Sequence, residues 1–406
     1  MKKLVALLLA GTMALSMVAC GGTAAPAASE APAEEAASEE AAEPAAEEAT
    51  EEAAAEAPAE AGDMTVAMIT DYGDITDQSF NQTTYEAAKA FCEANGIDFT
   101  YYKPEGDSDA EREAMVDKAV ADGYNVIIMP GFAFANCIYD EAPMYPDVKF
   151  VALDVSEGDL TAYGEREFEG ANVFSAVYQE ELAGYMAGVA AVKMGYTKLG
   201  FLGGMAVPAV IRYGYGFVQG ANDAAAEIGA EGVEINYAYG NQFYGDADIT
   251  AAMDTWYQGG TEVVFACGGG IYTSAAEAAA KVDGKVIGVD VDQKAIIDGD
   301  YGEGMTVTSA MKGLGATVNT LLSAIKEGNW GEYAGKIETL GLVSENPEEN
   351  YVQLPSTTSW GDSFTEVDYK TLVADLFSGK ITVSDDISAE EPSADNVTVN
   401  FQGNIK

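Results

Sequence analysis

The 406-residue chain contains no histidine, only four cysteines, and 20 basic residues against 67 acidic ones. The absence of histidine excludes the usual serine or cysteine catalytic triad, a histidine-ligated metal and a histidine pH switch. The net charge of −47 argues against nucleic-acid binding, which depends on clustered lysine and arginine. Cys92, Cys137 and Cys267 are too widely spaced for a CxxC pair or a dense disulfide framework, so we expect core thiols.

The amino terminus has the pattern of an export signal. Lys2 and Lys3 precede the apolar run LVALLLAGTMALSMVA, which is too short for a spanning helix with its usual flanks and ends in small residues. Residues 1–19 are therefore predicted to be a signal peptide. The tetrapeptide Met-Val-Ala-Cys that ends at Cys20 resembles a bacterial lipobox, which implies that Cys20 is lipidated and becomes the mature amino terminus. The alternative is ordinary secretion, with Cys20 removed.

Residues 20–62 form a segment of Ala, Glu, Pro, Gly, Ser and Thr after the cysteine, with twelve glutamates and no Lys, Arg or aromatic residue. Such a composition cannot bury enough apolar surface to fold, so we expect a disordered acidic tether. Removing these glutamates, Lys2 and Lys3 from the totals leaves 55 acidic and 18 basic residues, a net charge of −37. The folded part is therefore acidic in its own right.

Beyond residue 63, short apolar runs alternate with helical segments over a length sufficient for two lobes. The predicted strands are Thr65–Thr70, Val126–Met129, Lys149–Asp154, Lys198–Leu202, Val263–Cys267, Lys285–Asp290 and Met305–Ser309. Strands that are apolar on both faces and separated by helices indicate parallel sheets with helices on each side. The fold class is therefore α/β of the open-sheet kind, in which ligands bind beyond the carboxyl ends of the strands.

The segment after the first strand, ITDYGDITDQSFNQTTYEAAKAF, places polar residues at such a strand end. Asp77 is predicted to cap a helix that runs to about Asn95, so Phe80 and Asn81 would lie in its first turn. The alternatives are that Phe80 is a core residue and that Asp71 is merely a loop acid.

Several motifs together resemble one known family. They are DYGDITDQSFN, PGFAF, YPDVKFVALD, GFLGG, GVDVDQ, TSAMK and SGKITV, which occur in this order between residue 64 and about residue 385. The set resembles the basic membrane protein family of lipid-anchored substrate-binding proteins of ABC importers, which is related to purine nucleoside receptors. The family's name does not describe this chain, which is strongly acidic.

The resemblance implies a type I periplasmic-binding-protein fold, with two doubly wound parallel-sheet lobes joined by a three-stranded hinge. Residues 63–173 and about 313–406 would form lobe 1 and the hinge brace, and residues 176–309 would form lobe 2. The helix Leu182–Val192 contains Gly184 and Gly188, and we expect it to pack closely on a sheet.

The family's pattern implies that Phe80 and Phe243 stack on the two faces of a purine base. Rivals for the second ring are Tyr239, Tyr244 and Phe265. Phe132 or Phe134 in the PGFAF turn could also shape the base pocket.

Polar residues in the first predicted helix and at the strand ends are the candidates for hydrogen bonds to the base and the ribose. Asn81 and Asp154 would bind the base edge, and Asp290, with Asp71 as a second contributor, would accept the ribose hydroxyls. Lys312 matches a family lysine that reaches the sugar and would balance the charge of Asp290. The alternatives are that the strand-end aspartates cap helices and that Lys312 is a surface lysine.

No phosphate site is apparent. The chain lacks GxxxxGK[ST], and the glycine run from Gly214 to Gly220 is expected to lie inside a helix. Gly268 to Gly270 would instead let the backbone approach the sugar. We therefore expect no cofactor, no metal and a preference for nucleosides over nucleotides.

The function predicted is that of a monomeric binding protein without catalysis. It would capture a purine nucleoside outside the cell, close on it, and deliver it to a membrane permease driven by a partner ATPase. One alternative keeps the fold but changes the ligand to a sugar or another small polar solute. A second alternative is an exported nucleosidase that uses Asp71 or Asp290 as its catalytic carboxylate.

Overall fold

A computed structural model describes residues 63–71 and 73–406. The predicted signal peptide, the lipidation site at Cys20 and the predicted tether lie outside these residues. Within them, two predominantly parallel sheets form two lobes, and helices pack on both faces of each sheet. Among the described helices, none is both long enough and apolar enough to cross a membrane.

The first lobe begins with strands and helices in alternation. In chain order these are β1 (Thr65–Ile69), α1 (Phe80–Asn95), β2 (Asp98–Tyr102), α2 (Asp109–Ala121), β3 (Val126–Pro130), α3 (Ala135–Met144), β4 (Lys149–Leu153), α4 (Glu157–Leu160) and β5 (Val173–Tyr178). Strands β3 and β5 are buried at every position, which is the pattern of interior strands covered on both faces. Strand β2 lies at the sheet edge and has no fully buried residue. Its sequence therefore lacks the apolar run that predicts a buried strand.

The second lobe repeats this alternation. Its elements are α5 (Glu180–Lys193), β6 (Lys198–Gly203), α6 (Pro208–Ile228), β7 (Glu234–Tyr239), α7 (Ala247–Gln258), β8 (Val263–Cys267), α8 (Tyr272–Ala279), β9 (Lys285–Asp290), α9 (Lys294–Tyr301) and β10 (Thr306–Lys312). All seven predicted strands are present and begin within one residue of the predicted start. Strand β10 continues past its predicted end to Lys312.

The remaining elements are α10 (Leu314–Lys326), β11 (Lys336–Leu340), β12 (Val352–Gln353), α11 (Glu366–Phe377) and β13 (Thr398–Asn404). The first sheet has the order β11-β5-β4-β3-β1-β2, and the second has the order β12-β10-β9-β8-β6-β7-β13. Neighbouring strands are parallel except for the antiparallel pair β10 and β12.

This topology corrects the expectation that residues 313–406 complete lobe 1. Helix α10 packs on α1 and β11 pairs with β5, so this part does belong to the first lobe. Strands β12 and β13 instead extend the two edges of the second sheet. In β13 the exposed residues alternate with partly buried ones, so its sequence carries too weak an apolar pattern to reveal which sheet it joins.

Helix α1 begins three residues after the predicted cap. The Asp77 carboxylate accepts hydrogen bonds from the backbone N–H groups of Ser79, Asn81 and Gln82 at 2.9, 2.9 and 3.0 Å. It therefore satisfies the donors of the first turn from a position before the helix. Gly96 ends the helix in the left-handed conformation, with φ of 66°.

Helices α5 and α6 pack against each other at unusually close range. A Cβ atom added to Gly184 or Gly188 would collide with the backbone carbonyls of Tyr213 and Phe217 in α6. The close contact expected against a sheet is thus made against a helix, because α6 supplies its own small residues at Gly216 and Gly220. As predicted, the glycine run from Gly214 to Gly220 lies inside a helix.

The chain passes between the lobes three times in the described residues: after β5, after β10 and between β11 and β12. Hydrogen bonds from Gln179 N to Leu340 O (3.0 Å) and from Gly313 N to Tyr351 O (2.7 Å) tie these crossings together. In each sheet the strand order reverses at one point, between β1 and β3 and between β6 and β8. In open α/β sheets, such reversal points are where ligands bind.

Candidate functional site

A cleft of about 830 Å³ lies between the lobes at the carboxyl ends of the strands. All eight residues predicted to bind ligand line this cleft: Asp71, Phe80, Asn81, Asp154, Phe243, Gly268, Asp290 and Lys312. They come from strand exits and from the first turn of α1, which the parallel topology brings to facing edges of the two sheets. The cleft is large enough for a ligand of nucleoside size.

The lobe 1 wall is held by a hydrogen-bonded cluster at the start of α1. Asn81 Nδ2 donates to Asp71 Oδ1 at 3.2 Å and to Asp77 Oδ2 at 3.3 Å, and Gly73 N donates to Asp71 Oδ1 at 2.9 Å. These bonds fix the Asn81 amide with its nitrogen toward the carboxylates. Burial raises the pKa of Asp71 to about 6, against the opposing effect of the bonds from Gly73 and Asn81.

Besides the hydroxyl of Tyr213, two buried acceptor atoms on the cleft wall have no hydrogen-bond partner among the described residues. They are Asn81 Oδ1 and Asp154 Oδ1. A buried acceptor left without a donor is destabilising by about 1–3 kcal/mol, so such atoms are normally satisfied. Both atoms therefore have unused capacity to accept hydrogen bonds from a ligand.

Lys312 lies at the floor of the cleft among three carboxylates. Its Nζ is 2.6 Å from Asp154 Oδ2, 3.4 Å from Glu180 Oε1 and 3.8 Å from Asp290 Oδ1. Burial disfavours the charged ammonium, but the three carboxylates outweigh it and hold the pKa of Lys312 well above its usual value. With 3% of its side chain exposed, Lys312 is not the surface lysine of the alternative interpretation.

Two of these carboxylates occupy equivalent places in the two lobes. Asp154 follows β4 and Asp290 ends β9, and both have left-handed backbone angles, with φ of 62° and 63°. Aspartate tolerates this conformation better than most residues, although it is still a sparsely populated one. Burial raises the pKa of both carboxyl groups, while Lys312 opposes that rise.

Two charged residues near Lys312 were missed by the sequence analysis. Glu180 is the first residue of α5, and its Oε2 accepts a 2.7 Å hydrogen bond from Arg212 Nε in α6. The signal that could have revealed Glu180 is its position two residues beyond β5, the same kind of strand exit that identified Asp71. Arg212 lies within α6, away from any strand exit, so the strand ends could not have revealed it.

Phe80 and Phe243 line the cleft, and both also pack against the main core cluster. Lys312 Nζ lies 4.7 Å from the centre of the Phe80 ring, which places Phe80 beside the charged floor. Phe243 packs against Gly204 and Gly268, where added Cβ atoms would come within 2.5 and 3.1 Å of its Cδ1. Among the rivals, Tyr244 lines the cleft, while Tyr239 and Phe265 are buried in the core. Phe132 lines the cleft and Phe134 does not.

Direct hydrogen bonds connect the lobes on the cleft wall. Ser79 Oγ in lobe 1 donates to Asp290 Oδ2 in lobe 2 at 2.5 Å, and Gln293 Nε2 donates to the Gln78 carbonyl at 3.0 Å. Together with the ion pair between Lys312 and Asp154, these contacts join the two lobes across the cleft.

The cleft has an acidic lining. Its described residues include six aspartates, at positions 71, 74, 77, 107, 154 and 290, and two lysines, Lys103 and Lys312. Both lysines are already paired, since Lys103 Nζ lies 2.6 Å from Asp74 Oδ2. No group of side chains in the described residues could hold a metal ion. Cys92, Cys137 and Cys267 are buried and unbridged, and burial raises the pKa of the cleft thiol Cys267 well above its usual value.

Two parallel-sheet lobes, three crossings between them and a cleft at the strand exits define a binding protein of the type I periplasmic-binding-protein fold. A solved solute-binding protein of an ABC transporter system from Aeropyrum pernix K1 has this fold. It is 23% identical, and the match covers 79% of this chain and 87% of that one, with a TM-score of 0.61. The fold expected from the resemblance is therefore confirmed.

Residues 64–349 match the family model described as Bmp, ABC transporter substrate-binding protein PnrA-like, and the chain belongs to this family. The ABC transporter nucleoside-binding protein BmpA of Lactococcus lactis subsp. cremoris is 30% identical over 344 residues, which are 79% of this chain and 89% of that protein. Basic membrane protein B of Borreliella afzelii is 27% identical over 68% of this chain and 78% of its own length. The chain is therefore a substrate-binding protein of an ABC transporter.

Proposed function

We propose that this chain is the extracytoplasmic lipoprotein of an ABC importer that captures purine nucleosides and delivers them to its permease without catalysis. The observation that carries this proposal is the cleft itself, in which Phe80 and Phe243 accompany two buried acceptors that lack donors. A nucleoside offers a flat base for the rings and N–H and O–H donors for Asn81 Oδ1 and Asp154 Oδ1.

The similarity to a nucleoside-binding protein of L. lactis supports the same ligand class. Asp71 and Asp290 add further acceptors, which suits the vicinal hydroxyls of a ribose. Gly268, Gly269 and Gly270 also line the cleft, so the sugar would border backbone atoms there.

The charges of the cleft favour nucleosides over nucleotides. A phosphate entering the cleft would meet six aspartates, and the two lysines that could attract it already neutralise carboxylates. Releasing Lys312 for a phosphate would leave Asp154, Glu180 and Asp290 buried without their shared cation. A ligand without a phosphate group is therefore favoured.

The lipid anchor on Cys20 and the acidic tether after it would hold the binding lobes near the permease. A segment of this length, rich in glutamate and proline, would keep the lobes attached without fixing their position. Metabolic labelling of the full chain with a radioactive fatty acid should label the wild type and not Cys20→Ala.

Calorimetric titration of residues 63–406 with guanosine, inosine, adenosine, uridine, ribose and guanosine monophosphate tests the ligand. Purine nucleosides should bind, and the monophosphate should bind at least about tenfold more weakly, the effect of 1.4 kcal/mol. Binding of ribose with no binding of any nucleoside would refute the stacking model. Recovery of free base after long incubation would establish the nucleosidase instead.

A further inference from the structure

Glu180 and Arg212 form a charged pair behind the cleft that has no role in the ligand contacts proposed above. The Glu180 side chain is fully buried and does not line the cleft, yet its Oε1 lies 3.4 Å from Lys312 Nζ. Its Oε2 accepts a 2.7 Å hydrogen bond from Arg212 Nε, and Arg212 likewise lies outside the cleft lining. Each carboxylate oxygen of Glu180 therefore contacts a different cation.

The three carboxylates around Lys312 differ in their access to ligand. Asp154 and Asp290 line the cleft, whereas Glu180 touches Lys312 from outside it. Glu180 opens α5 immediately after one hinge crossing, and Lys312 ends β10 immediately before another. The contact between them therefore joins two hinge segments.

Lysine is a poor anchor on its own, because its four-carbon chain is flexible and its ammonium is a point charge. A lysine that contacts ligand must nevertheless be held in one place, because ordering a mobile side chain on binding reduces the binding free energy. Asp154 belongs to lobe 1, so its hold on Lys312 depends on closure of the cleft. Glu180 supplies a contact on the side away from the ligand.

We propose that Glu180, itself held by Arg212, is a positioning residue that fixes the Lys312 ammonium at the cleft floor and so sets ligand affinity without touching ligand. This inference rests on the proposed function. It predicts that Glu180 affects ligand affinity only when Lys312 is present.

A double-mutant cycle with guanosine as the probe tests this, using Glu180→Gln, Lys312→Met and the double variant in calorimetry. Glu180→Gln alone should weaken binding about tenfold, within the range of coupling between contacting charged residues. In the Lys312→Met background the same change should weaken binding less than about twofold. Equal losses in both backgrounds would overturn the proposal.

Arg212 provides a second route that does not require Glu180 to be changed. Arg212→Gln should weaken guanosine binding about tenfold, and Arg212→Lys, which keeps a cation beside Glu180, should restore affinity to within about threefold of wild type. If the lysine variant is as weak as the glutamine variant, the charge of Arg212 does not act through Glu180. If Glu180→Gln fails to fold, the two Arg212 variants still test the proposal.

Met253→Ala is the matched control for destabilisation of lobe 2, because Met253 is fully buried in a separate part of the core. It should lower the melting temperature and leave the guanosine dissociation constant unchanged. If Glu180→Gln behaves in the same way, Glu180 is only structural. If the wild type binds ribose and not guanosine, the proposed function fails, and the same cycle measured with ribose still tests the role of Glu180.

Discussion

The two walls of the cleft use different means to shape one site. On the lobe 1 wall, the Asn81 side chain donates to the carboxylates of Asp71 and Asp77 at the start of α1, so side chains hold side chains. On the lobe 2 wall, the Phe243 ring packs closely against Gly204 and Gly268, where a side chain would occupy its space. Hydrogen bonds between side chains thus hold the lobe 1 wall, and close packing against glycine backbone holds the Phe243 ring on the lobe 2 wall.

Both walls nevertheless share one backbone feature. Asp154 and Asp290 leave equivalent strands in the same left-handed conformation and meet at Lys312. The difference between the lobes therefore lies in what lines the cleft and not in how the strands end. Substitutions can test each wall separately and can test the lysine that both share.

The largest effect is expected from Lys312→Met, which removes the cation shared by both walls. Leaving buried carboxylates without a partner should lower the free energy of unfolding by about 3–5 kcal/mol and weaken guanosine binding about a hundredfold or more. Urea denaturation and calorimetry measure the two effects. Lys312→Arg keeps the charge and should lose much less stability; an unchanged affinity in Lys312→Met would show that the walls do not depend on this residue.

The next effect comes from the rings on opposite walls. Phe80→Ala and Phe243→Ala should each weaken nucleoside binding about tenfold or more, since stacking contributes about 1–3 kcal/mol per base. Ribose binding should not change. An unchanged dissociation constant for Phe80→Ala would return that residue to a packing role, and a loss in Tyr244→Ala without one in Phe243→Ala would make Tyr244 the second ring.

A smaller effect tests the shape of the lobe 2 wall. Gly204→Ala places a Cβ about 2.5 Å from the Phe243 ring and should displace it, weakening guanosine binding about fivefold if overpacking costs about 1 kcal/mol. The matched control is Gly299→Ala in α9, where nothing lies within 4 Å of the added atom. Equal affinities for both variants would mean that the ring is not held by Gly204.

The smallest effect is the response of the lobe 1 wall to pH. A carboxyl group whose pKa is higher in the folded state binds protons more readily when folded, so the unliganded protein should become more stable as pH falls through about 6. Ligand donors favour the ionised form, so guanosine binding should weaken about fourfold per carboxylate between about pH 7.5 and about pH 5.5. Asp71→Asn should make this dependence shallower. Calorimetry over this range gives the affinities, and a binding constant that rises on acidification would contradict the sign.

Much of the fold followed from local patterns. Apolar runs such as Val263–Cys267 gave strand positions because interior parallel strands are buried on both faces. The edge strands β2 and β13 are half-exposed and lack that signal. The interior strands β5 and β7 are also absent from the predicted set, although β5 is buried at every position. The strand exits also identified Asp71, Asp154 and Asp290, since open sheets place ligands there.

The sequence by itself determined the alternation of strands and helices, the polar strand ends and the cap before α1, because each depends on residues a few positions apart. Only the tertiary structure decided that β13 joins the second sheet, that Phe265 is core while Phe243 faces the cleft, and that Glu180 stands behind Lys312. Lys312 and Asp154 are 158 positions apart, and Lys312 and Glu180 are 132 apart. Such pairs are set by strand order and lobe closure, which no local periodicity encodes.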